Sequence, residues 1–412
     1  MAAYQAVKVF LCELHFALSG PCRGPGLERA TGKLRSGGMD LSREALICLL
    51  SLSALGVLYT MNNVAAFQEP LVILKIGVVV LLLVLLLTFL SVRRRPPEDL
   101  LFYVCVEFSF TCIIDLTSAL EYDGFVSGFM EFYQKAGEPY LGTAYAIMMC
   151  YWDGIVHFLM YLLMVHRMDN KKPYRSVGLF WAGSLSANML VFVLGVVIGR
   201  YSGEIRPAFW LNMPFLLVPL WGAVVLFCRP RELPIIPAIR VEHEHRKGLL
   251  SRPLDLVLFV LLLAAMGFTL FRGFVALGCP QEVCSTYISQ YEPYLKDPTG
   301  YPRVMMLLFL YHGLPLLTAF AYGLWTPGCT WMLDWSAFLA GAVAQWCHIG
   351  ASLHSNTPAP FRMPEDQWWL VMALNLLYMM VPQVLALRCA CHPSFFMQTV
   401  PKDQANGAKK WN

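Results

Sequence analysis

The chain has 412 residues, of which 57% are hydrophobic and only 14% charged, where a soluble domain carries about 25% charged residues. That balance excludes a soluble globular domain and a disordered chain. A formal net charge of +4 is too small to describe a nucleic-acid-binding surface, so the chain reads as an all-α polytopic membrane protein.

Residues 1–43 read as an N-terminal cytoplasmic tail, partly disordered. Gly, Pro and Arg are frequent from Gly20 to Gly38, and Glu13 and His15 interrupt the short apolar stretch Val9–Leu18. That makes a poor signal peptide, and residues 1–38 are either an extension or the product of an upstream start. A helical span needs about 20 mostly apolar residues. Ten stretches qualify: 44–66, 71–92, 101–120, 142–165, 176–199, 207–228, 254–277, 303–325, 331–353 and 367–388. They group as a two-helix unit (44–92), a four-helix unit (98–229), a cytoplasmic linker (230–252), a second four-helix unit (253–391) and a cytoplasmic tail (392–412).

Positive charge orients the spans, because cytoplasmic loops are rich in Lys and Arg. Ten crossings place 23 of the 31 Lys and Arg on one side and 7 on the other. Both termini are then cytoplasmic. Cys279 and Cys284 fall in the long lumenal loop and are a candidate disulfide in an oxidising compartment. The sequence ends Lys409-Lys410-Trp411-Asn412, which resembles a dilysine retrieval signal of the endoplasmic reticulum and early secretory pathway, including the ER–Golgi intermediate compartment.

Two motifs recur in the same order. Glu138-Pro139-Tyr140-Leu141 returns as Glu292-Pro293-Tyr294-Leu295, displaced by 154, and Asn212-x6-Pro219 returns as Asn375-x6-Pro382, displaced by 163. Spans three to six and seven to ten therefore read as two copies of a four-helix unit. Four crossings return the chain to the same side, so the copies are parallel repeats.

Ionisable groups inside a membrane are functional candidates by default. Glu107 and Asp115 lie in span three. Asp153 and His157 stand at i and i+4 in span four, where they share a face and can meet. Trp152 flanks them, and Tyr161 extends the stripe. A carboxyl group, an imidazole and the uncharged amide of Asn212 make an acid–base pocket. The competing reading is structural: Asp153 and His157 simply satisfy each other between packed helices. Asp255 reads as an N-cap, and Arg272 as a side chain snorkelling to the lumenal interface. His348 and His354, six apart, do not share a helix face, so no metal site is expected. No cofactor is expected either; there is no Walker loop, no GxGxxG in context and no nucleophile elbow.

Asn-x2-(aromatic)-x3-Pro in the last helix of a four-helix unit, with an acidic residue on each of the first two helices, resembles the emopamil-binding-protein (EXPERA) family. The matching residues are Asn212/Phe215/Pro219 and Asn375/Tyr378/Pro382. Two such units after a helical pair is the layout of the transmembrane six superfamily. Gly128–Tyr133, Gly137–Leu141, Cys150–Gly154, Leu270–Gly273 and His348–Ser352 resemble it too, and Glu204–Phe209 leans towards one branch of it. The resemblance covers about residues 44–400. It implies an endoplasmic-reticulum regulator of lipid metabolism that binds a sterol or lipid and influences triglyceride loading and secretion of lipoproteins. Membrane lipids or sterols and lipoprotein-assembly proteins are the implied partners. Asp115, Trp152, Asp153, His157, Asn212, Phe215, Asn375 and Tyr378 are the implied ligand-binding residues. A second implication is a sterol Δ8–Δ7 isomerase with Asp115, Asp153 and His157 as catalytic groups. There Thr111 stands where the isomerase has a histidine, and Phe215 and Tyr378 stand where it has tryptophan, a better cation–π partner. A lipid transporter is a third reading, suggested by ten spans in two repeats.

Overall fold

A computed structural model describes residues 42–231, 233–343 and 346–399. The tail up to residue 41 and the Lys409–Lys410 signal lie outside them. The described residues are helical with no strand. The helices are α1 (Arg43–Asn63), α2 (Pro70–Val92), α3 (Leu101–Tyr122), α4 (Ala144–Asp169), α5 (Arg175–Ile198) and α6 (Pro207–Cys228), then α7 (Ala238–His245) and α8 (Pro253–Ala276). They continue with α9 (Glu282–Gln290), α10 (Tyr301–Trp325), α11 (Met332–Ala342), α12 (Trp346–Leu353) and α13 (Trp368–Cys391).

Among the described residues, nine helices are long and apolar enough to cross a bilayer. They coincide with nine of the ten expected spans. A helix satisfies its own backbone polar groups inside lipid, and the helix ends carry ordinary signals. Ser42 caps α1 by accepting from Ala45 N, and Thr143 caps α4 by accepting from Ala146 N. Pro70 and Pro253 occupy first-turn positions that need no amide donor.

The tenth expected span, 331–353, is two shorter helices, α11 and α12. The carbonyl of Ala340, near the end of α11, takes the Gln383 amide of α13 at 2.7 Å, a side-chain substitute for backbone bonding where a helix stops inside a bundle.

Helix α5 is the central element, 72% buried across its apolar window, and α2 the most peripheral at 17%. A uniformly apolar helix such as α2, with Val79, Leu82 and Leu86 exposed, belongs against lipid. The seam between α5 and α11 is the tightest. A Cβ on Gly183 would stand 2.2 Å from the Phe338 carbonyl oxygen, and one on Gly341 would stand 2.1 Å from that of Phe180. Glycine on both sides lets the two backbones touch, the usual device for helix association without a hydrophobic driving force.

Charges gather at the end of the bundle that the sequence assigns to the cytoplasm. Arg229 and Tyr174 bind Asp99, Arg229 at 2.7 Å. Arg175 and Arg231 clasp Asp334 at 2.8 and 2.5 Å. Asp255, expected as an N-cap, makes no capping bond; it is an ion-pair centre for Arg252 and for Arg388, the latter at 2.6 Å. Two guanidinium partners satisfy a buried carboxylate better than one backbone amide.

Candidate functional site

Helices α1 to α6 line a cavity of about 130 Å³, room for on the order of ten waters. Its wall is mostly apolar, with Leu58, Met61, Ile73, Val80, Ile114 and Met149 among the lining residues. Its polar groups are few: Thr111, Asp115 and Ser118 from α3, Asp153 from α4, Asn212 from α6, and Tyr133 and Glu138 from the loop between α3 and α4. An apolar chamber with a few convergent polar groups is the usual form of a small-molecule site.

The fold brings the expected residues together unevenly. Asp115, Asp153, Asn212 and Phe215 line the chamber. His157 does not; it is fully buried behind Asp153. Its Nδ1 lies 2.6 Å from Asp153 Oδ1, and its Nε2 lies 2.9 Å from Ser184 Oγ. Trp152 is also off the wall, donating to Ser184 Oγ at 3.0 Å and packing on Trp346 with ring centres 6.1 Å apart. Both therefore hold the Asp153 helix rather than touch the chamber. Asp153–His157 is a π-helical turn, a local widening common at functional sites. Gly154 allows it to approach α3: a Cβ there would stand 2.9 Å from Leu116 Cα.

Glu138 is the principal residue missing from the sequence-based site. It is 3% exposed and takes three hydrogen bonds: Tyr133 Oη at 2.6 Å, Tyr140 Oη at 2.8 Å and Asn212 Nδ2 at 2.5 Å. Burial pushes its carboxyl above the usual glutamate range, and those three donors pull against the rise. The signal was present in the repeated Glu-Pro-Tyr-Leu motif, but a loop position hid its depth. Asp115, by contrast, forms no hydrogen bond or ion pair to any described residue.

Asn375 and Tyr378 belong to a different cluster. Asn375 Nδ2 lies 3.5 Å from Glu292 Oε1, and Asn375 Oδ1 accepts from Arg272 Nη2 at 3.0 Å. Tyr378 Oη pairs with Thr269 Oγ1 at 2.9 Å. Arg272 does not snorkel: it is 2% exposed and donates Nε to Glu292 Oε2 at 2.9 Å. A buried carboxylate holds it more strongly than interfacial water would. Cys279 and Cys284 are bonded as a disulfide between α8 and α9. His348 packs its ring on Tyr294, and His354 pairs with Asp123 at 3.1 Å. Among the described residues no group of three or more His, Cys, Asp or Glu is placed to hold a metal.

The fold and chamber define a polytopic helical membrane protein with an acid-lined cavity between its spans. Residues 53–237 match the family model "Transmembrane 6 superfamily member 2-like, transmembrane domain". The chain is 47% identical to human transmembrane 6 superfamily member 2 over 359 residues, covering 87% of this chain and 95% of that protein. It is 45% identical to the rat protein over 85% of this chain and 94% of that one, and 44% identical to the mouse protein over 86% and 96%. The chain belongs to the transmembrane 6 superfamily. No solved structure matches it.

Proposed function

We propose that the chain is an endoplasmic-reticulum membrane regulator of lipid metabolism that binds a sterol or other single-headed lipid in the α1–α6 chamber and influences triglyceride loading of secreted lipoproteins. The observation that carries the binding part is the chamber itself. Apolar walls suit a hydrocarbon body, and Asp115, Asp153, Glu138 and Asn212 gather where a polar head would sit. The lipid-metabolic setting rests on the resemblance to the EXPERA family. The four-helix units, the reticulum and the cytoplasmic termini belong to the same reading, supported by the repeated motifs and the Lys and Arg bias. A photoactivatable sterol on the purified full-length chain tests binding. Crosslinks on α1–α6 peptides, competed by unlabelled sterol and reduced by F215A, are expected; crosslinking that ignores the competitor sinks the reading.

One observation favours a second reading. Asp115 and Asp153 share one cavity, and two carboxyl groups in different surroundings suit opposite roles, one acid and one base. In a sterol isomerase the acid protonates the ring double bond, giving a carbocation. The base then removes a proton from the neighbouring carbon, so the double bond moves with no net change of atoms. Asp153, held by His157, would be one partner and Asp115 the other. Conversion of a Δ8 sterol that disappears in D153N would establish this. Retained binding without conversion would leave a regulator.

A further inference from the structure

The two motif pairs recur in space as well as in sequence. Glu138 and Glu292 are both buried, at 3% and 2% exposed. Each accepts from the tyrosine five residues earlier, Tyr133 and Tyr287, at 2.6 Å. Each is approached by the asparagine of its own Asn-x6-Pro motif. The clusters differ in three members: Glu138 also accepts from Tyr140 Oη at 2.8 Å, His348 Nε2 lies 3.5 Å from Glu292 Oε1, and the third difference is a cation. Glu292 has the guanidinium of Arg272, which also bonds Asn375 and lies 4.9 Å over the Phe268 ring and 5.7 Å over the Tyr378 ring. Counting back by the displacement that relates the two glutamates, Arg272 corresponds to Ser118. Ser118 lines the open chamber, and its Oγ is buried without a hydrogen-bond partner. Where one cluster has a guanidinium, the other has a short side chain and space.

We propose that Arg272 is a built-in occupant of the second cluster: its guanidinium fills the place that is left open beside Glu138. The second four-helix unit is then a self-liganded module whose site accepts a guanidinium, and the chain takes one external ligand, not two. Two hydrogen-bonded contacts to Glu292, a third to Asn375 and two aromatic faces make a complete guanidinium site. This inference rests on the internal repeat. It does not depend on which molecule the first chamber takes.

Chemical rescue tests it on the purified full-length chain. R272A strips Glu292 of its guanidinium and leaves a buried carboxylate with, among the described residues, only the Tyr287 and Asn375 donors and His348 Nε2 at 3.5 Å, so the melting temperature should fall, on the order of 10 °C. Ethylguanidinium should restore at least half of that fall, saturably. It should not do so for the wild type or for R272A/E292Q, and tetramethylammonium at equal ionic strength should do nothing. A folded R272A that ethylguanidinium does not rescue overturns the proposal. If R272A does not fold, the reverse graft decides. S118R brings a guanidinium to Glu138 and should melt at or above the wild-type temperature. A lower melting temperature for S118R overturns the proposal. A failed sterol crosslink leaves either result intact, so the two readings fail separately.

Discussion

At the residue scale, Glu138 is a buried carboxyl whose ionisation bears on the stability of the fold. Its carboxyl is raised by burial, against the donors Tyr133, Tyr140 and Asn212. The folded chain therefore binds its proton more tightly than the unfolded chain does. Stability from this group is complete below the ordinary glutamate pKa, about 4.3, and is lost as pH rises through the raised folded value. E138Q keeps the shape and cannot titrate. Its melting temperature in detergent should fall less than the wild type's between pH 4 and 8, and parallel curves would show that Glu138 does not titrate in that window. Asp99 carries the opposite sign. Burial raises it, but hydrogen bonds from Arg229, Tyr174 and the Leu101 amide leave it net below the usual aspartate range. Its contribution is present above the ordinary aspartate pKa and is lost as pH falls through the lowered value. D99N should therefore cost the most near neutral pH and least in acid.

At the element scale, the seam of α5 and α11 has no slack. Gly183 and Gly341 each face a backbone carbonyl of the other helix, so a methyl group cannot be accommodated by rotating a side chain. G183A or G341A must push two backbones apart, at a cost of about 2 kcal/mol or more, read as a lower melting temperature. A G183A/G341A double variant should cost less than the two singles added, because the first methyl already opens the seam. Full additivity would mean the glycines do not share one contact. This scale also shows what was legible in the sequence. Nine spans were, because runs of Val, Leu and Phe need no tertiary information to be read. The break in 331–353 was not, because the run is mostly apolar, and the Gln383 amide that takes the Ala340 carbonyl comes from another helix. Asp115, Asp153 and Asn212 were legible as polar residues in apolar surroundings. Glu138 was not, because nothing in a loop sequence says that a π-helical turn at Tyr133–Gly137 and a 3-10 turn at Pro139–Gly142 fold it inward. The walls given by α1 and α2 were hidden for the same reason: their apolar residues look identical whether they face lipid or the chamber.

At the scale of the whole molecule, the ion pairs and the charge bias make one statement about orientation. Asp99 and Asp255, each bound by arginine, lie at the ends of their helices beside Lys- and Arg-rich segments, and Asp334, whose preceding loop has no Lys or Arg, is bound at the same end by Arg175 and Arg231. The disulfide between Cys279 and Cys284 lies at the opposite end, where an oxidising lumen would keep it closed. Under the orientation proposed above, with the ion-pair end in the cytosol, both facts are accounted for, whereas the inverted one puts a disulfide in a reducing compartment. For the reticulum location proposed above, membrane-impermeant maleimide on cells with a permeabilised plasma membrane and an intact reticulum checks this. Cys391, exposed at the end of α13, should label at once. A cysteine placed at Phe125, 73% exposed in the loop after α3, should label only after detergent opens the reticulum, each read in a background lacking the other exposed thiols. The reverse pattern would invert the whole chain, since α4, α5, α6, α8, α10, α13 and the α11–α12 pair, which runs from Asp334 beside Arg175 and Arg231 to His354 beside Asp123, make seven crossings between the two positions.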